Sequence, residues 1–291
     1  MPSLKWAIII TFFILSLMLS AIFWLAMFFF RVTGPTLVLS TFAFVAFMIF
    51  FQWLVGPSVI KMTARLRPCE DKKILHMVEK ISRKTGIPMP DVYIADSRIP
   101  NAFAFGRTQS SSAIALHKGL IDSLNDSELE AVIAHEIGHI KHRDVIVMTL
   151  ASALPLILYY LIYFGSLFAS SRDNRGTVNY LGAWLGASVA HFLGTLIVLY
   201  LSRVREYYAD EHSALVTKRP DSLISALRKI SQGIRSSPVP RRAGREDILR
   251  TFYIENPAME LSGSSLMELL MTHPPLEKRI KALEKIKRKL L

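Results

Sequence analysis

AVIAHEIGHIKHRD, residues 131 to 144, contains the pattern H-E-x-x-H at His135, Glu136 and His139. On an α-helix, residues four apart lie one turn apart on the same face, so the two histidines can offer ring nitrogens to one tetrahedral Zn²⁺. Glu136 is offset by one position and can reach the attacking water of a metal-assisted hydrolysis, for which it would be the general base. The stretch therefore predicts a catalytic zinc centre.

Apolar residues surround the two histidines. Residues 131–134, Ile137 and Ile140 are all apolar, so much of this helix is expected to be buried. A buried histidine needs a partner, and one zinc ion would serve both rings. Two surface histidines on an ordinary helix would not need apolar flanks, so we favour the zinc site.

The composition is that of a membrane protein. The chain has 291 residues, which allows one or two domains, and 51% of them are hydrophobic. The single cysteine, Cys69, excludes an intramolecular disulfide and a cysteine-based zinc site. The net charge of +12 fits basic flanks that face anionic lipid on the cytoplasmic side, and no nucleic-acid-binding motif accompanies it.

Four uncharged stretches are long enough to cross a bilayer, which needs about 20 apolar residues. They are residues 6–30, 36–60, 145–169 and 180–202. The first is longer than the apolar core of a signal peptide and is expected to be retained. The zinc-motif helix is expected to run on into the third span, with a kink at Pro155. The third and fourth spans either cross fully or form a shallow hairpin.

Basic residues follow the second and fourth spans. Lys61 and Arg65 come after the second span, and Arg203 and Arg205 come after the fourth. By the positive-inside rule, these flanks and both termini face the cytoplasm, in a multi-pass protein of the plasma or inner membrane. The predicted organisation is mainly α, with a small β-sheet in a cytoplasmic α+β protease domain. Its parts are a membrane hairpin at 1–60, protease residues 61–144, a second hairpin at 145–202 and protease residues 203–291.

The cytoplasmic residues have the patterns of helices and short strands. Strands are predicted at residues 91–95, 101–106 and 112–116, the last two as a hairpin. Helices are predicted at residues 70–85, at 223–230 and after the prolines at 274–275. Asn125 or Asp126 is expected to cap the zinc-motif helix.

The hairpin begins with Asn101, Ala102, Phe103 and Ala104. An extended peptide can add to the edge of a sheet, so this segment is predicted to border a substrate cleft. The alternative for Asn101 is a plain turn residue.

Glu206 is the predicted third zinc ligand. The third and fourth spans return the chain to the side of the membrane where His135 and His139 lie, and Glu206 follows directly. Asp210, four residues on, shares a helix face with Glu206 and can accept the second N–H of a ligating histidine. The alternative is an acidic surface helix that binds no metal.

Four segments of this sequence resemble the HtpX family of membrane-bound zinc endopeptidases. They are Asn101-Ala-Phe-Ala, Ala131-Val-Ile-Ala-His-Glu, Arg205-Glu206-x-x-Ala209-Asp210 and Met271-Thr-His-Pro-Pro-Leu. The resemblance implies a gluzincin-like domain with one zinc ion per chain on His135, His139 and Glu206, and catalysis by Glu136. It also implies polypeptide substrates, namely damaged or misfolded membrane proteins.

The same resemblance implies that His273 and Arg279 lie near the cleft. Peptide hydrolysis builds negative charge on the carbonyl oxygen, so a donor from the C-terminal part is expected. It is either His273, whose backbone is fixed by the prolines that follow, or the permanently charged Arg279. Tyr207 and Tyr208 are the next candidates.

Two other functions share parts of the pattern. The CaaX prenyl-protein endopeptidases carry the zinc motif, but they are larger and have more than four spans. A non-catalytic membrane scaffold with structural zinc would need four protein ligands, whereas the spacing suggests three. Both alternatives are therefore less favoured than an HtpX-type protease.

Overall fold

The computed structural model of the chain describes residues 34–172, 180–236 and 268–290. The predicted first span, residues 6–30, lies outside these ranges. The helices in the described part are α1 Gly34–Thr63, α2 Lys72–Thr85, α3 Lys118–Ser123, α4 Asp126–Lys141, α5 Asp144–Ala151, α6 Leu154–Arg172, α7 Tyr180–Thr217, α8 Pro220–Ser236 and α9 Leu276–Leu290. The strands are β1 Arg67–Pro68, β2 Asp91–Ala95, β3 Ala102–Gly106 and β4 Ser112–His117.

Three helical stretches of the described chain are long and apolar enough to cross a membrane. They are α1, α5 and α6 taken together over Asp144–Ala169, and α7. Their apolar side chains are largely exposed, as at Leu39, Leu150 and Phe192, which suits a hydrocarbon solvent. These stretches coincide with the predicted second, third and fourth spans. The helix α7 continues past residue 202, where the predicted fourth span ends, so Glu206 and Asp210 lie on the same continuous helix as that stretch.

The helix with the H-E-x-x-H pattern does not run on into the third span, and this prediction was wrong. α4 ends at Lys141, and Arg143 has a φ of 56°, in the left-handed region that interrupts right-handed helix geometry. α5 then starts at Asp144, whose side chain contacts His139 of α4. A second interruption at residues 152–153 separates α5 from α6, so that Pro155, the predicted kink, is the second residue of a new helix.

The sheet has the strand order β1-β2-β4-β3. The predicted hairpin is confirmed, because β3 pairs antiparallel with β4 from Ala102–Leu116 to Gly106–Ser112. The parallel pairing of β2 with β4 and the two-residue β1 were not predicted. In the described chain β3 forms one edge of the sheet, and α4 packs against it.

α4 runs through the middle of the main apolar core. Eleven of its 16 residues are buried, among core residues from α2, β2, β4, α8 and α9. Asn125 caps the helix by accepting from the Glu128 N–H, while the Glu128 side chain accepts from the Asn125 N–H. Of the two predicted caps, Asn125 is therefore the one used. The buried carboxylate of Glu128 is also bound by Ser225 and Lys229 of α8.

α7 packs closely against α4 because Gly138 has no side chain. A Cβ at Gly138 would lie 3.1 Å from the Ala209 Cα and 3.2 Å from the His212 Cβ. On the same interface the Ser213 hydroxyl donates to the Ala131 carbonyl over 2.7 Å. This packing brings Glu206 of α7 opposite the two histidines of α4.

Candidate metal centre

The three predicted ligands lie together. His135 Nε2 and His139 Nε2 are 3.2 Å apart, and each is 3.6 Å from an oxygen of Glu206. A tetrahedral zinc ion with bonds of about 2.0–2.2 Å holds its ligand atoms about 3.3–3.6 Å apart. The three side chains therefore fit one face of such a tetrahedron, and three protein ligands are typical of catalytic zinc sites.

The electrostatic surroundings of the cluster favour positive charge. The side chains of His135 and Glu206 are 3% and 6% exposed. Burial alone would lower the pKa of His135, but Asp210 and Glu206 outweigh it and raise the pKa to about 10. The same two carboxylates would also stabilise a divalent cation, which carries twice the charge of a proton.

Asp210, which was predicted to accept the second N–H of a ligating histidine, lies beside His135. Its Oδ1 is 3.0 Å from His135 Nδ1, although the ring N–H is not aimed along this line. Arg279 donates to both oxygens of Asp210, over 2.8 Å from Nε and 2.6 Å from Nη2. Its Nη1 is also 3.4 Å from Glu206 Oε2. Arg279 is fully buried, so it holds two acids of the centre in place.

A second acid at the cluster, Asp144, was not predicted. Its Oδ2 lies 2.5 Å from His139 Nδ1 and 2.9 Å from Arg205 Nη2. An unbroken helix, as predicted here, would point Asp144 away from His139, whereas the left-handed Arg143 turns it towards the ring. The available signal was an isolated acid directly after the zinc motif and before a long apolar run.

A cleft of about 480 Å³ contains the cluster. Glu136 and His273 line it, together with Ala102, Phe103 and Ala104. Among the other predicted residues, Asn101 is fully buried, and neither it nor Arg279 lines the cleft. Tyr207 and Tyr208 do not line it either.

His273 is held at the cleft by Arg203, which was not predicted. The Arg203 guanidinium donates to the carbonyls of Leu269 and Met271, over 3.0 and 2.7 Å. This ties the segment before His273 to α7. His273 Nδ1 then lies 3.2 Å from Glu206 Oε1, so its imidazole stands at the edge of the metal cluster.

The cleft extends towards the membrane helices. Its lining there is mostly apolar and comes from α1 and α5, at Trp53, Gly56, Pro57, Ile60, Val145, Ile146 and Met148. The Trp53 indole N–H donates to the Arg107 carbonyl over 3.3 Å, which joins α1 to the β3–β4 turn. The metal cluster therefore opens onto residues of the candidate spans.

The chain matches a known family over most of its length. The model of peptidase family M48 matches residues 68–287. A protease HtpX homolog from Methanothermobacter thermautotrophicus is 44% identical over 195 residues, which cover 66% of this chain and 72% of the relative. Another from Pyrococcus abyssi is 43% identical over 227 residues, which cover 77% and 76%.

The fold also has a counterpart among solved structures. The crystal structure of S. mikatae Ste24p matches with a TM-score of 0.59 and 21% identity, over 94% of this chain and 66% of that one. At this identity the match shows a common fold. Together with the family match and the His-His-Glu cluster, it leads to one conclusion: the chain belongs to peptidase family M48 and is a membrane zinc metalloprotease of the HtpX type.

Proposed function

We propose that the protein is an endopeptidase that cleaves misfolded or damaged membrane proteins at the cytoplasmic face of the membrane. One zinc ion per chain would be held by His135, His139 and Glu206. The observation that carries the proposal is the placement of these three ligands beside Glu136 in one cleft.

Glu136 is proposed as the general base. When bound, zinc supplies a Lewis acid that polarises the substrate carbonyl and lowers the pKa of water to about 7. Glu136 follows His135 on α4 and is outside the His-His-Glu group, yet it lines the same cleft. Its carboxylate takes a proton from the attacking water and passes it to the leaving amine.

His273 is proposed as the donor to the developing oxyanion. Of the two residues considered from the sequence, His273 lines the cleft and Arg279 does not. The Arg279 guanidinium is engaged with Asp210 and Glu206 instead. A ring N–H of His273 aimed at the carbonyl oxygen would stabilise the charge that appears there during hydrolysis.

The edge strand β3 is proposed to bind the substrate backbone. Ala102, Phe103 and Ala104 lie on this strand and line the cleft, where an extended peptide can pair with them. Asn101 is buried and does not line the cleft, and its backbone carbonyl extends the β3–β4 pairing by accepting from the His117 N–H over 3.0 Å. Its contribution to substrate binding is therefore indirect.

The proposed membrane arrangement follows from the helices and the charge pattern. Residues 61–144 and 203–291, with both termini, are placed on the cytoplasmic side of the plasma or inner membrane, and four spans cross it. The opening of the cleft onto α1 and α5 supports substrates that reach the enzyme from the bilayer. Unfolded membrane proteins expose extended apolar segments, which suit the apolar lining of this opening.

The test is hydrolysis of an unfolded protein, such as casein, by purified protein in detergent. Glu136→Gln should keep its zinc and lose hydrolysis, because the base is removed and the ligands are not. His273→Ala should keep zinc and lower kcat by roughly 10²-fold, the scale of one lost oxyanion donor. Glu211→Gln, an exposed acid on α7, is the matched control and should be fully active. Undiminished turnover by Glu136→Gln would remove this residue from its role.

A further inference from the structure

We propose that Asp144 and Arg205 are positioning residues for the metal centre, which fix the ring of His139 and couple it to two membrane helices. The proposal rests on the zinc site proposed above. Asp144 is the first residue of α5 and Arg205 lies on α7. Neither residue belongs to the His-His-Glu ligand group.

The contacts converge on a single atom. Asp144 Oδ2 lies 2.5 Å from His139 Nδ1 and 2.9 Å from Arg205 Nη2. The Asp144 side chain is only 4% exposed, so little water competes for it. A buried carboxylate requires this kind of pairing, since an isolated buried charge is strongly disfavoured.

The chemistry of the ligand explains why the pairing matters. His139 presents Nε2 to the cluster, so its neutral ring must carry the proton on Nδ1. A carboxylate at Nδ1 fixes that tautomer and the ring orientation. It also raises the basicity of Nε2, which makes this nitrogen a stronger metal ligand. Arg205 keeps the carboxylate ionised and aimed, because its N–H reaches the same oxygen.

The arrangement repeats on the other histidine. His135 Nδ1 lies 3.0 Å from Asp210, although without an aligned hydrogen bond, and Asp210 is held by Arg279. His139 hydrogen-bonds Asp144, which is held by Arg205. Each histidine thus ends a His–Asp–Arg chain. The two chains differ in the helices that supply them. Arg279 comes from the C-terminal helix α9, whereas Asp144 begins the candidate span Asp144–Ala169 and Arg205 lies within the candidate span Tyr180–Thr217.

The backbone supports the same function for Asp144. The left-handed conformation of Arg143 ends α4 and lets α5 start with its first side chain against His139. Arg205 directly precedes Glu206, the proposed third ligand. A shift of α5 relative to α7 would therefore disturb His139 and Glu206 together.

The test is zinc affinity of the full-length protein in detergent, measured by competition with a chromophoric chelator. Asp144→Asn should weaken binding about 10–100-fold, the usual effect of losing a ligand's partner. Asp126→Asn is the matched control, because Asp126 is an exposed acid of α4 that pairs with Lys73, and it should bind as wild type. The visible spectrum of the Co²⁺-loaded protein should change in Asp144→Asn and stay the same in Asp126→Asn.

A second set of variants tests the proposal even if Asp144→Asn does not fold. Arg205→Met should weaken zinc binding through Asp144, Arg205→Lys should restore much of it, and the Asp144→Asn/Arg205→Met double variant should be no weaker than Asp144→Asn alone. Wild-type affinity and Co²⁺ spectrum in Asp144→Asn, or additive losses in the double variant, would overturn the proposal. Absence of zinc binding by the wild type would instead refute the proposed zinc site.

Discussion

Arg279 and Asp210 form a buried bidentate ion pair, with N–O distances of 2.8 and 2.6 Å. The two residues are 69 positions apart in the chain. Asp210 in turn stands 3.0 Å from His135. The C-terminal helix α9 is therefore joined to the metal centre through one side chain.

Removal of Arg279 should weaken both the fold and the metal site. Arg279→Ala leaves two buried carboxylates without their cation, which typically destabilises a protein by about 3–5 kcal/mol. Zinc affinity should fall as well, because Asp210 loses its orientation. Chemical denaturation and chelator competition measure the two effects, and Arg288→Ala, an exposed residue on the same helix, is the control. Unchanged stability and affinity with lost hydrolysis would instead place Arg279 on the substrate.

Trp53 should influence which peptides are cleaved. Its indole lines the membrane side of the cleft, so a large apolar substrate side chain can bury against it. Trp53→Ala should lower kcat/KM by about 10–100-fold for a peptide with leucine near the scissile bond, corresponding to about 1.5–3 kcal/mol of lost burial. The loss should be small for the same peptide with glutamine there.

Leu54 provides the matched control for Trp53. It is the next residue on α1, is 41% exposed and does not line the cleft. Leu54→Ala should keep the wild-type preference for leucine over glutamine. If Trp53→Ala also keeps that preference, the apolar end of the cleft does not select substrates.

His117 should make the fold sensitive to acid. It is fully buried, and burial lowers its pKa from 6.5 to about 4. The unfolded chain therefore binds a proton below pH 6.5 that the folded chain does not bind until about pH 4, and stability falls as the pH falls through this window. The full effect is about 3 kcal/mol.

The measurement is thermal unfolding in detergent between pH 7 and 4, with excess chelator so that zinc release does not contribute. His117→Asn should lose less stability than wild type over this range, because its side chain does not titrate. Parallel pH profiles for the two proteins would show that His117 has the same pKa in the folded and unfolded chain, which would contradict this prediction.

The membrane arrangement can be tested by labelling introduced cysteines in intact cells. The native Cys69 is buried, so background labelling at this residue should be low. A cysteine at position 174, between the predicted third and fourth spans, should react with an impermeant reagent from outside. A cysteine at position 218, after α7, should react only when the membrane is opened. Labelling of position 218 in intact cells would contradict the cytoplasmic placement of the protease residues.

Much of the metal centre could be predicted from sequence because three of its residues are close together in the chain. His135, Glu136 and His139 lie within one turn or so of a helix, and helix geometry fixes their faces. Glu206 required one further step, the prediction that the chain between the two parts forms a membrane hairpin and returns to the same side. In the structure Glu206 lies 3.6 Å from both histidines.

The rest depended on backbone details and long-range packing that spacing does not encode. One left-handed residue, Arg143, breaks the expected continuous helix and brings Asp144 to His139. Arg279 was expected near the cleft, but its partner Asp210 on α7 takes it into the interior. The parallel pairing of β2 with β4 is likewise set by contacts between distant segments.

The most direct test of the account is the X-ray absorption spectrum of the protein loaded with one zinc ion per chain. We predict a shell of nitrogen and oxygen atoms at about 2.0–2.2 Å with the scattering of two imidazoles. Glu206→Ala should bind zinc more weakly and give a changed shell. A sulfur shell near 2.3 Å, more than two imidazoles, or a spectrum and affinity unchanged by Glu206→Ala would contradict a centre built from His135, His139 and Glu206.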